Sequence, residues 1–370
     1  MEMAAQSSTT PATSVQINDT ALRLRIREYA RQQRKELRTN TTDALRFGLG
    51  QIKDKISELE NLGIKDVQGM ASRIKRRKHA TGEDMYRLSH AFLQGNENIN
   101  AFAEVQGATQ VIIKEFTGTQ MQRQIEAAEC LCNYSLGDAH VCEKITTMAG
   151  SYLVTFLDNQ EPRLKRSCLW TLANILATCS KSASMLLQMQ LASKLWKLYT
   201  LPASDIHGYQ EDAGICLHLI ATRAAASIRE EDRRYIAENL HKKQPGETGA
   251  DYYMYIVFQL ELVNRERDLC AAHFQHLLNF FMENVNFDPN TAAGKLRIVY
   301  GVRVIANIFA TRPDNSQLEL QSDQLVNALN KLFALQEPNL TLDLMQLLKN
   351  LIEAQLLDNE LLMEHIRVYA

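Results

Sequence analysis

The chain has 370 residues, 45% of them hydrophobic, with only 16 Gly and 7 Pro, so it can bury a large core and lacks the turn residues of an all-β chain. Its net charge of -2 conceals an asymmetry: residues 1–80 carry 16 Lys and Arg against 9 Asp and Glu, while 81–370 carry 25 against 34. The longest apolar run, Tyr252 to Val263, is broken by Gln259 and Glu261, which argues against a membrane span.

Residues 1–20 are rich in Ser, Thr, Ala and Gln and lack the apolar centre of a secretory leader, so a disordered tail is expected there. The cysteines, at 130, 132, 142, 168, 179, 216 and 270, are odd in number, form no CxxC and mostly fall in helical apolar patterns. Such usage fits a reducing compartment, with Cys serving as a small hydrophobe, and the expected location is cytoplasm and nucleus.

Residues 21–80 read as a basic, partly helical arm. Arg23, Arg27, Arg31, Arg34 and Arg38 recur at steps of 4, 4, 3 and 4, one stripe of a helix, with Arg25 and Lys35 beside it and a shorter apolar strip of Leu22, Ile26 and Tyr29. By itself this stripe suits a solvated face, an acidic protein or RNA surface, or a helix lying on a membrane. Tyr29 and Phe47 are its only aromatic residues, too few for stacking single-stranded bases, so nucleic acid is not the expected partner. A helical pattern follows over 44–62, and then a second basic cluster, Lys75, Arg76, Arg77 and Lys78.

From residue 83 onward nearly every ordered stretch has a helical period, and a longer period overlies it. Asn133 and Asn174 lie 41 residues apart and Asn307 and Asn350 lie 43 apart, each inside an apolar helical run; the gap of 133 between Asn174 and Asn307 holds three units, with copies expected near His218 and Asn264. Pro162 and Pro338 each precede an Asn of the series by 12 residues, an offset that opens a helix. Gly107-Ala108 and Ala149-Gly150 suggest a small-residue turn at the same period. Units of this size built from two or three helices imply an all-α, armadillo/HEAT-type, right-handed superhelical solenoid over 81–370, with six to seven repeats and 83–100 as a degenerate cap.

An amide at the same place in every long helix makes a ladder on one surface, and Asn carries one acceptor and two donors, enough to bond the main chain of an extended peptide. Trp170, four residues before Asn174, shares its face and can pack a lysine stem. The alternative for each Asn is a bridge between neighbouring helices, and for Trp170 a place in the core. Cys270, His273 and His276 fall at three-residue steps along one expected helix but have no fourth ligand nearby, so no metal is expected. The Glu230 to Arg234 run reads as a solvated loop or helix end. No GxSxG, Walker, GxGxxG, HExxH or kinase pattern is present, so neither catalysis, a cofactor nor a small-molecule substrate is expected.

The stretches Gln124–Gly137 and Leu164–Ala177 resemble the second and third repeats of importin-α, the armadillo adaptor for nuclear localisation signals, and the Arg23 to Arg38 stripe resembles the segment by which that family binds importin-β. The resemblance implies an adaptor that holds a basic or other extended peptide at Asn133, Gly137, Trp170, Asn174, Asn307 and Asn350 on its concave face. It implies an importin-β-like carrier on the arm residues Arg23, Arg27, Arg31, Arg34, Lys35 and Arg38. Lys75, Arg76, Arg77 and Lys78 resemble the family's autoinhibitory signal mimic. This sequence departs from the family in carrying Glu129, Arg303 and Gln346 where Trp is expected, and Thr178 where an acid clamps a lysine. The alternative is a non-transport scaffold or dedicated chaperone on the same fold.

Overall fold

A computed structural model describes residues 61–202, 204, 207–310 and 322–354, all helical or connecting, with no strand among them. The tail and the arm residues from Arg23 to Arg38 lie outside the described residues. Among the described residues no helix is long and apolar enough to cross a membrane.

The compact repeat unit begins at Gly63 rather than at 81. The reason is α1 (Ile64–Arg77), whose buried Val67, Met70, Ala71 and Ile74 form one apolar face. The Asp66 carboxylate accepts from the Gly63 N–H at 2.9 Å at its start, and Lys78, at φ 55, ends it in the left-handed conformation. α1 packs on α3 (Asn96–Glu104) and α4 (Ala108–Phe116), and Arg73 and Arg77 reach Asp84 at 2.8 and 3.6 Å. Burial alone would raise the Asp84 carboxyl, but bonds from Thr81 and Arg73 bring it below its ordinary value. Lys75, Arg76 and Arg77 therefore form the last turn of a docked helix, favourably placed at the negative end of its dipole. The cluster that resembles a signal mimic thus lies at the end of this helix.

The other helices repeat a plan in which one to three helices lead into a closing helix. The closing members are α2 (Gly82–Gln94), α5 (Met121–Tyr134), α7 (Pro162–Thr178), α10 (Tyr209–Arg223), α12 (Tyr253–Gln259), α16 (Ala292–Ala310) and α18 (Pro338–Glu353). Each packs on the next, giving an unbroken row of seven among the described residues. The remaining helices complete the units: α3 and α4; α6 (Ala139–Thr155); α8 (Ser180–Leu187) and α9 (Leu191–Tyr199); α11 (Glu230–Glu238); α13 (Leu262–Arg265), α14 (Arg267–Ala272) and α15 (Phe274–Asn284); and α17 (Ser322–Phe333). No unit could bury its apolar faces alone; stacking joins them into one core and makes an all-α solenoid.

Local chemistry sets the boundaries. Pro162 and Pro338 occupy the first turns of α7 and α18, as their shared offset predicts. A Thr81–Asp84 capping box opens α2, and Asp138 caps α6 by accepting from the Val141 N–H at 3.0 Å. Gly107, at φ 90, makes the break between α3 and α4. Gly150, one period later, does not make a turn: it lies inside α6, where a Cβ would come within 3.3 Å of Leu186, so its missing side chain serves helix packing and two helices fuse into one. The fifth unit is irregular. Its closing helix stops at Leu260, Glu261 turns left-handed at φ 54, and Asn264 falls exposed in the short α13. The Glu230 to Arg234 run is not wholly solvated, because Asp232 and Arg233 are buried at the start of α11, where Arg233 Nε donates to the Leu260 carbonyl at 3.0 Å.

Candidate functional site

The asparagine series lies along the row, but its amides point between helices. Asn133 Nδ2 donates to the Ser89 carbonyl at 3.0 Å and to its hydroxyl at 2.8 Å; Asn174 Nδ2 donates to the Cys132 carbonyl at 3.1 Å and to the Ser135 hydroxyl at 2.9 Å. Both hydrogens of each amide are thereby committed within the protein. Asn350 Nδ2 donates to the Ala306 carbonyl at 2.7 Å, and its Oδ1 accepts from Gln346. All three are buried, and each clamps its helix to the one before. Asn307 is half-buried in α16. Gly137 holds a close approach: a Cβ there would lie 2.8 Å from Ile99 Cγ2 and 3.0 Å from Val141.

One turn before Asn133, Asn174 and Asn307, the row presents side chains that tie one long helix to the next. Glu129 accepts from Arg163 at 2.7 Å. Trp170 Nε1 donates to Asp212 Oδ1 at 3.0 Å, and Arg303 Nε donates to Asp343 Oδ2 at 2.8 Å. Gly214 occupies the fourth rung, where the rings of Tyr199 and Tyr252 approach within 3.0 Å of the space a Cβ would fill. Asp212 was not singled out in the sequence. It brings a carboxylate to Trp170 from the following helix, 42 residues along the chain.

Further carboxylates stand near this rung. Burial raises Glu211, and the neighbouring charge of Asp251 raises it further, against the bond from Tyr252 and the field of Lys243. Asp251 itself pairs with Arg297. Lys243, fully buried, holds the loop beside α10 by donating to the Tyr199 carbonyl at 3.1 Å and the Thr248 carbonyl at 2.6 Å. His218, in the position expected for an Asn, lies against the rings of Tyr252 and Tyr255 at 5.3 and 4.6 Å, and burial pushes its pKa down to about 4. On the C-terminal side Tyr255 meets Tyr300 at 4.7 Å and Phe258 meets Tyr300 at 5.4 Å.

Cys270, His273 and His276 do not share a helix. α14 ends at Ala272 and α15 starts at Phe274, His273 faces the Glu238 carbonyl and stacks on His241, and His276 turns to Tyr253. All seven cysteines are buried, and burial pushes the Cys270 thiol up to about 12.

No known family's model matches the chain. Among solved structures, an engineered protein is similar over 88% of this chain and 78% of its own length, with a TM-score of 0.56 at 17% identity. A designed armadillo repeat protein in complex with the peptide (KR)4 covers 78% of this chain and 99% of its own, with a TM-score of 0.39 at 17% identity. A computationally designed armadillo repeat protein for modular peptide recognition covers 77% and 99%, with a TM-score of 0.41 at 18% identity. The first likeness shows a shared fold.

Proposed function

We propose that the row of long helices binds an extended segment of a partner protein, with a basic side chain seated at Trp170 and Asp212. The observation that carries this reading is the Trp170–Asp212 rung. An indole held by a carboxylate from the next helix offers a ring face and a negative charge together, the pair a lysine or arginine side chain needs. Designed armadillo proteins that take basic peptides are consistent with this reading. Trp170 and Asn307 are the contacts proposed for the peptide; Asn133, Gly137, Asn174 and Asn350 position the helices that present them. In the fuller form of the proposal the Arg23, Arg27, Arg31, Arg34, Lys35 and Arg38 stripe recruits an importin-β-like carrier, and the protein works as an import adaptor between cytoplasm and nucleus.

Fluorescence titration of a lysine-rich extended peptide onto the full chain tests the first part. Saturable binding is expected, weakened on the order of tenfold by Trp170→Ala; absence of binding by the unaltered protein would overturn the reading. Retention of an importin-β-like carrier, lost when Arg27, Arg31 and Arg34 become Ala, tests the second. The asparagine amides turned between helices favour the other reading, a non-transport scaffold, which predicts peptide binding without carrier retention.

A further inference from the structure

Arg303 stands in α16 at the rung that Trp170 holds in α7, yet its surroundings have a different chemistry. Its guanidinium carbon lies 5.2 Å from the Tyr300 ring centre and 5.7 Å from that of Phe258, so the cation is placed over both aromatic rings. Asp343, from α18, accepts from Nε at 2.8 Å and fixes the plane. A third of the Arg303 side chain remains exposed, against 22% for Asp343. The pair is neutral overall, its orientation is set before any ligand arrives, and Arg303 already occupies the cation position over both rings. A second cation finds that position already filled. A planar, uncharged π-system can stack on the free side of the guanidinium, continuing the sequence of rings and cation outward.

We propose that this rung is a second subsite of the same row, at which the outward face of the Arg303 guanidinium receives an aromatic side chain of the bound peptide. The inference rests on the peptide-binding reading and adds a specificity to it. Trp170 and Arg303 are three helix intervals apart in the order α7, α10, α12, α16. At about 9 Å per interval and about 3.4 Å per extended residue, the preferred partner carries a basic and an aromatic residue about eight positions apart. The carboxylates Glu211 and Asp212 beside the Trp170 rung disfavour a phosphate backbone, so a peptide rather than a single-stranded nucleic acid is the occupant.

The test uses the full chain and two fluorescent peptides that share a lysine and differ at one position about eight residues away, Phe in one and Ala in the other. The Phe peptide is expected to bind the unaltered protein several-fold to about tenfold tighter than the Ala peptide. Arg303→Lys, which keeps the charge and the reach to Asp343 but not the planar face, is expected to abolish that difference while leaving the thermal midpoint in place. Trp170→Ala is expected to weaken both peptides alike and preserve their ratio. Equal affinity for the two peptides in the unaltered protein, with binding still dependent on Trp170, overturns the subsite and leaves the peptide-binding reading standing. Failure of both peptides to bind overturns both. Binding of an oligothymidylate that is lost in Arg303→Lys overturns the peptide assignment in favour of single-stranded nucleic acid.

Discussion

His218 shows what the asparagines contribute by lacking it. Asn174 gives both amide hydrogens to α5, whereas His218, 44 residues later, rests between Tyr252 and Tyr255 with its Nδ1 unbonded. An imidazole in that place stays neutral, its pKa pushed by burial to about 4 from an ordinary 6.5. The unfolded chain takes up a proton there as pH falls below about 6.5 and the folded chain does not. The unfolded state thus binds more protons across that window. The stability His218 contributes is complete above the unfolded pKa and is lost as pH falls towards the folded one, by up to ~1.4 kcal/mol per pH unit. His218→Asn removes this titration and places a donor where Asn174 has one. In urea unfolding, the unaltered protein is expected to lose about 2 kcal/mol more than the variant between pH 7 and pH 5. Equal losses would show that His218 is not held neutral by its surroundings. The spacing of residues 133, 174 and 350 was legible in the sequence. The direction of their side chains was not, because a helical period fixes which residues share a face but not whether that face meets solvent or the next helix.

At the scale of the helix, connections decide how one repeat meets the next. Gly137 leads from α5 into α6 directly before the Asp138 cap, and its α-carbon faces Ile99 and Val141 too closely for any side chain. Gly137→Ala is expected to cost about 1–3 kcal/mol by forcing α3 and α6 apart, read as a lower midpoint in thermal or urea unfolding, with peptide affinity per folded molecule close to that of the unaltered protein. An unchanged midpoint with peptide binding lost would instead place Gly137 in the ligand site. Proline revealed its role in advance, since its fixed φ and missing donor confine it to a helix start wherever the chain is helical, and both Pro162 and Pro338 sit there. Glycine did not. The same residue type makes a left-handed turn at Gly107 and a tight helix contact at Gly150, and only the neighbour at Leu186 distinguishes them. The tie between Trp170 and Asp212 was hidden for a related reason: its partners are 42 residues apart and meet only because two repeats stack.

Over the whole molecule, the decisive question is where the repeat array begins. Composition divides the chain near residue 80, because the basic surplus ends there, and charge is a poor guide to packing when long side chains can stay at the surface over an apolar helix face. Packing divides it at Gly63. α1 has the basic exterior of the preceding segment but the interior of a repeat, with Val67, Met70 and Ile74 buried against α3 and α4. Burying three such side chains contributes on the order of 5 kcal/mol before the cost of ordering the helix is subtracted, and Asp84 would lose Arg73 and Arg77 as well. In a stacked array a terminal unit screens the apolar side of its neighbour, so its loss is felt first by α3 and α4 and then by the units behind them. Two shortened chains separate the boundaries. One that begins at Gly63 keeps α1 and is expected to unfold at nearly the same urea midpoint as residues 63–370 do within the full chain. One that begins at Thr81 uncovers the α3–α4 face and is expected to bind a hydrophobic dye and unfold at a clearly lower midpoint. If the two shortened chains prove equally stable, α1 is an appendage of the basic segment, and the array starts where the charge changes.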